Sequence, residues 1–132
     1  MIIDSSAVLA ILFAEEDAPV FAQAIEAAEA RRMSAANWLE TAIRVDQGGD
    51  AVASNAFDDF FDQAGVSVEA VTATQAQLAR RAYRAYGKAT GHPAKLNFGD
   101  CFAYALAKET GEPLLFKGDD FSRTDVRPAL ES

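Results

Sequence analysis

The sequence predicts an α/β fold, a three-layer α/β/α sandwich with a central, mainly parallel sheet, and three observations lead there. Four short apolar runs, Ile2-Ile3, Met33-Ser34-Ala35-Ala36, Val66 to Val71 and Leu114-Leu115-Phe116, have the length and character of buried strands. The segments between them carry apolar residues at helical spacing. The connections are short, and strands alternating with helices over short loops build a parallel sheet covered on both faces. With 132 residues and 50% hydrophobic content, one domain over residues 1–132 is expected.

Taken in order, Ile2-Ile3 forms a strand that ends at Asp4, and a helix opens in Ser5-Ser6-Ala7 and runs through Leu12. Ala18 to Arg32 is amphipathic, with Val20, Phe21, Ala24, Ile25 and Ala28 on one side. After the second strand, Asn37 is expected to cap a helix whose apolar stripe is Trp38, Leu39, Ala42 and Ile43, with Glu40 on its flank and Gln47-Gly48-Gly49-Asp50 as its end. Ala51 to Gly65 holds Phe57, Phe60, Phe61 and Ala64, an aromatic stripe that reads as core. Thr72 to Gly91 is the longest helical pattern, and Arg80, Arg84 and Lys88 align along it. Asn97 then caps a helix in which Cys101 to Ala107 is apolar around most of the circumference, so neighbours must cover it. Glu109-Thr110-Gly111 stops that helix, and the last strand leads into Lys117-Gly118-Asp119-Asp120-Phe121 and a short tail, Ser122 to Ser132.

The composition narrows the function. A net charge of −8 argues against a generic electrostatic binder of nucleic acid, which needs surplus Lys and Arg. It remains compatible with a nuclease whose carboxylates are screened by divalent cations, since the ions reverse the local sign. The single Cys101 leaves no partner for an internal disulfide and suits a reducing compartment. The longest apolar run is too short to span a bilayer and no basic leader precedes Ile2, so a cytoplasmic protein without membrane attachment is expected. The single His92, in a Gly-His-Pro loop, has no partner nearby in sequence and reads as a surface residue.

The chemistry lies in acids placed at the edges of apolar segments. In a parallel sheet Asp4 and Asp119 stand at the carboxyl ends of two strands, while Glu40 and Asp100 stand in the first turns of helices that begin at that same end. Each acid taken alone has a structural explanation. Asp4 and Asp100 can cap helices, and Glu40 can answer the helix dipole or pair with Arg44. Together, four carboxylates in one pocket repel one another and require compensation. Mg²⁺, or Mn²⁺, supplies it with oxygen ligands alone, and activates water for phosphodiester hydrolysis without a Ser, Cys or His nucleophile. Arg80, Arg84 and Lys88 form the one concentrated cationic stripe and are candidates for an RNA backbone, although a solvated helix face accounts for them equally.

In order along the whole chain, Met1-Ile2-Ile3-Asp4-Ser5-Ser6-Ala7, Trp38-Leu39-Glu40, Asn97-Phe98-Gly99-Asp100-Cys101 and Leu114-Leu115-Phe116-Lys117-Gly118-Asp119-Asp120-Phe121 resemble the successive motifs of PIN-domain ribonucleases, specifically the VapC toxins of toxin–antitoxin pairs. The resemblance implies a Mg²⁺-dependent endoribonuclease, a VapB-type antitoxin that blocks the site, and a homodimer, with tRNA or another structured RNA as substrate. It implies Asp4 and Asp100 as central metal ligands, Glu40 and Asp119 as further acids, and Ser6 as a supporting hydroxyl, with Asp120 capping the turn. The antitoxin surface is expected on the helices after Asp4 and Glu40, with Phe13 or Trp38 as contributors unless the core buries them. The competing expectation is an inert PIN-fold module that acts only by docking a partner.

Overall fold

A computed structural model describes residues 1–130 of the chain; the last two residues of the tail read from the sequence lie outside them. Strand β1 (Ile2–Ile3) is followed by α1 (Ser5–Leu12) and α2 (Ala18–Ala27), then β2 (Arg32–Ser34) by α3 (Ala35–Asp46) and α4 (Ala51–Ala64). Next come β3 (Ser67–Glu69), α5 (Ala73–Tyr86), α6 (Phe98–Thr110) and β4 (Leu114–Leu115), with 3-10 turns at Lys88–Thr90 and Phe121–Arg123. The sheet order is β3-β2-β1-β4 and every pair is parallel. Helices cover both faces, which makes the expected three-layer sandwich.

Side chains alternate across a strand, so each two-residue strand feeds both layers. Ile2 and Leu114, paired in the β1–β4 register, pack with α5 and α6 against Ala79, Ala82, Ala103 and Ala107. Ile3 and Leu115, the next pair, pack on the opposite face with Val8, Phe21, Ile25 and Met33. All four of these strand residues are fully buried. At roughly 1.5–3 kcal/mol per side chain, their burial makes the centre of the sheet the hardest part of the fold to open. A satellite cluster of Phe57, Phe61, Trp38, Ala42 and Val45 joins α3 to α4, with Trp38 and Phe57 ring centroids 5.6 Å apart.

Several boundaries differ from the sequence reading, each for a local reason. Ser34, not Asn37, caps α3, accepting the Ala36 N–H at its hydroxyl. A helix starting earlier rotates its buried face to Asn37, Thr41, Ala42 and Val45, leaving Leu39 53% and Ile43 48% exposed. The α5 helix stops at Tyr86 rather than Gly91, so Lys88 belongs to the 3-10 turn and not to the helix carrying Arg80 and Arg84. The tail does not trail away: Leu114 N–H bonds to Arg127 O and Ala129 N–H to Leu114 O, so it extends the β4 edge. Phe121 and Val126 are buried beneath it. No helix among the described residues is long and apolar enough to cross a membrane.

Candidate active site

A parallel sheet points every strand's carboxyl end the same way, and the helices that follow start at that edge. Asp4 directly follows β1 and is the N-cap of α1. Its Oδ2 accepts the Ser6 N–H at 3.0 Å and the Ser6 hydroxyl as well. Ser6 Oγ in turn accepts the Lys117 N–H at 2.9 Å, which ties Asp4 to the segment leaving β4. Asp100 occupies the third position of α6 in a reciprocal capping box, its Oδ2 accepting the Asn97 N–H at 3.0 Å while Asn97 Oδ1 accepts the Asp100 N–H at 2.9 Å. Both capping explanations are therefore realised. They do not exhaust the carboxylates, since among the described residues no hydrogen bond reaches Asp100 Oδ1.

Glu40, on an exposed part of α3, accepts the Ser5 hydroxyl at Oε1, 2.8 Å away. Its other oxygen lies over the first turn of α6, where a Cβ built on Gly99 would fall 2.2 Å from Glu40 Oε2. With Glu40 in this position, only glycine leaves room there. The same two helices are clamped by Asn37, whose Nδ2 donates to Gly99 O at 2.9 Å. The Glu40–Arg44 pair allowed by i,i+4 spacing does not form among the described residues. Arg44 instead lines a cleft of about 350 Å³ together with Asp4, Ser5, Ser6, Glu40, Asn97 and Asp100.

The electrostatics show how closely the acids converge. Burial, followed by the charges of Asp4, Asp120 and Glu40, overcomes the Asn97 N–H and pushes the Asp100 carboxyl up to about 7. Asp4 is buried and is also raised, by desolvation first, against the Ser6 hydrogen bonds and with the help of Glu40. Of the two aspartates after β4, Asp120 is the one whose charge bears on Asp100. Its side chain makes no capping hydrogen bond, whereas Asp119 contributes its backbone carbonyl to Ser122. Lys117, beside them, is turned outward to Glu15 and Asp17 at 2.6 and 3.0 Å.

These residues fit a hard divalent cation by donor chemistry. Among the described residues no three Asp, Glu, His or Cys side chains stand close enough to form a preassembled cage. Mg²⁺ needs none, because it keeps several waters and binds through one or two carboxylates. A buried carboxyl, Asp4, and a partly buried one, Asp100, both held above their ordinary values first by desolvation and then by neighbouring acids, are the groups such an ion would stabilise.

The other candidates fall around this cleft. Arg80 and Lys88 border a separate apolar cleft beside Asn97, while Arg84 sits with Gln77, Arg80 and Arg81 in a shallow depression. His92 is a loop residue, as expected, with Nδ1 accepting the Ala94 N–H and its ring edge-on to Tyr86. Phe13 is exposed and Trp38 half-buried. Ser5, Arg44, Asn97 as a cleft wall, and Gly99 were not singled out by sequence reasoning as part of the site. The Asn-x-Gly-Asp spacing carries the last two, but only the meeting of α3 with α6 shows why the glycine is needed.

Comparison with known proteins agrees with this fold. The chain matches the PIN domain family over residues 1–127. It is 51% identical over 131 residues to Ribonuclease VapC28 of Mycobacterium tuberculosis, covering 99% of this chain and 98% of the relative. Two solved structures share the fold at low identity. The Mycobacterium tuberculosis toxin VapC20, described as cleaving the sarcin-ricin loop, matches with a TM-score of 0.70 at 21% identity over 96% of this chain and 98% of that one. A toxin–antitoxin complex from Klebsiella pneumoniae matches with a TM-score of 0.68 at 16% identity over 92% and 89%.

Proposed function

Because the chain belongs to the PIN-domain family and, within it, to the VapC ribonucleases, we propose that it hydrolyses RNA phosphodiester bonds at the cleft of Asp4, Glu40 and Asp100, as a Mg²⁺-dependent toxin held in check by an antitoxin. One observation carries the assignment: carboxylates from the ends of β1 and from α3 and α6 line a single cleft. Asp4 and Asp100 would hold the ion, with Mn²⁺ an acceptable substitute. When bound, such an ion polarises the scissile phosphate and makes water more acidic.

The chain's own residues do the rest. Glu40, held by the Ser5 hydroxyl and seated over Gly99, orients the attacking water and receives its proton at the carboxylate. Asp120 is the fourth acid in this reading, in place of Asp119, because it is the one that bears on Asp100. Ser6 fixes Asp4 by hydrogen bond, and Arg44 faces the phosphate from the cleft wall. Phe13, Leu39 and Ile43, apolar and exposed on or next to α1 and α3, are the surface for a VapB-type antitoxin segment laid over the cleft. Pairing with a second copy belongs to the same proposal.

Asp4→Asn and Asp100→Asn preserve shape and remove charge at the ion. Each is expected to lower Mg²⁺-supported cleavage of single-stranded RNA at least a hundredfold, with the fold intact by circular dichroism. Undiminished cleavage by both variants would overturn the assignment.

A further inference from the structure

Beside the acidic cleft, on the other side of Asn97, a second cleft of about 640 Å³ opens between α5 and α6. Its walls are Ala76, Ala79, Tyr83, Phe98, Cys101 and Phe102. Phe98 is the anomaly, standing 78% exposed on the first turn of a helix whose middle, Ala103 to Ala107, is buried. Its ring meets Phe102 edge-on, with centroids 4.9 Å apart, which leaves the rings open to a flat ligand.

Two cations, Arg80 and Lys88, also line this cleft, and among the described residues neither is in a salt bridge. In a chain of net charge −8, two unpaired cations bordering aromatic rings form a local site for a flat, apolar group attached to an anion. Asn97 lines both clefts. A ligand lying across that residue therefore presents one part to the carboxylates and the adjoining part to the rings.

We infer that the cleft of Phe98, Phe102, Arg80 and Lys88 is a nucleobase subsite, in which the base next to the scissile phosphate stacks on Phe98 while Arg80 and Lys88 take the neighbouring phosphate. The inference rests on RNA being the substrate of the acidic cleft. Aromatic stacking tolerates any base but adds affinity per nucleotide, and cations at its edge fix the backbone. Arg84, facing a different depression, has no part in the subsite.

Ala76 offers a clean test, since it is exposed on α5 at the cleft wall and touches none of the acids. Ala76→Trp sets an indole on the cleft wall and takes up part of its space, and Phe98→Ala removes its stacking face. NMR of the metal-free full chain with AMP, GMP, CMP and UMP is expected to shift the Phe98 and Phe102 ring resonances for at least one nucleotide, and for none in Ala76→Trp. In Mg²⁺, both variants are expected to raise KM for single-stranded RNA about tenfold, with kcat and melting temperature nearly unchanged. The absence of any shift in the wild-type chain, or an unchanged KM in both variants, overturns the subsite. So does conversion of a dimer to a monomer by Ala76→Trp, which would assign the cleft to a second copy, or loss of antitoxin-segment binding with KM unaltered. Nucleotide shifts in a wild-type chain that leaves RNA intact in Mg²⁺ would uphold the subsite and refute the catalytic reading instead.

Discussion

Replacing Asp100 by Asn should make the metal-free protein more stable while destroying its activity, and the size of the gain follows from the site. The Asp100 carboxyl titrates at about 7, against 3.8 for the unperturbed group. At about 1.36 kcal/mol for each pH unit between those values, ionising it in the folded chain costs at most about 4 kcal/mol. Part of the side chain meets solvent, and screening brings the expected figure to about 1–2 kcal/mol. The sign follows from proton binding. Between about pH 4 and 7 the native state keeps the Asp100 proton while the unfolded chain releases it, so stability falls as pH rises through that window. An Asn side chain stays neutral and still accepts the Asn97 N–H, keeping the cap. For a chain of this size the gain corresponds to about 3–8 °C in melting temperature above pH 7, shrinking toward zero near pH 4. Thermal melts of both proteins in EDTA at pH 4, 6 and 8 measure it. A variant that melts no higher than wild type at pH 8, or whose advantage does not change with pH, would refute the idea that burial and the neighbouring acids make the ionised Asp100 unfavourable. Saturating Mg²⁺ should raise the wild-type melting temperature and leave the variant's unmoved.

Gly99→Ala places a Cβ 2.2 Å from Glu40 Oε2. The carboxylate is the free end of a flexible side chain and can swing away, so melting should change by less than about 1 kcal/mol while kcat falls at least tenfold; equal kcat would show that Glu40's seat is immaterial. Ser6→Ala leaves the buried Asp4 Oδ2 without its hydroxyl donor and the Lys117 N–H without its acceptor, for an expected loss of about 1–3 kcal/mol in urea unfolding. Because that hydroxyl lowers the Asp4 carboxyl, the acid limb of the pH–activity profile should also move to higher pH, and an unmoved limb would contradict the role given to Ser6. Glu112→Gln, far from the cleft, breaks the pairs with the Met1 ammonium and Arg32. Burial pushes Glu112 up, but those partners outweigh it and hold the carboxyl below its ordinary range. Its contribution is therefore present at neutral pH and lost as pH falls below the ordinary carboxylate range and the folded-state carboxyl takes up its proton. A stability loss that persisted unchanged at pH 3 would rule the ion pairs out as its source.

The sequence alone determined the alternation of buried strands and helices and the acids at their edges, because both are local. Ile2-Ile3 and Leu114-Leu115 must be buried on two faces whatever surrounds them, and an Asn-x-x-Asp start to an apolar helix announces its own capping box. Other features were decided only when the helices packed. Where α3 begins sets the rotation of every side chain on it, so the choice of Ser34 over Asn37 as cap turned Leu39 and Ile43 outward and Asn37 inward onto Gly99. The approach of Asp120's charge to Asp100, the opening of Arg44 into the cleft and the fit of glycine at 99 beneath Glu40 depend on distances between elements far apart in the chain. Such distances are products of packing and sheet register, to which no single segment holds the information.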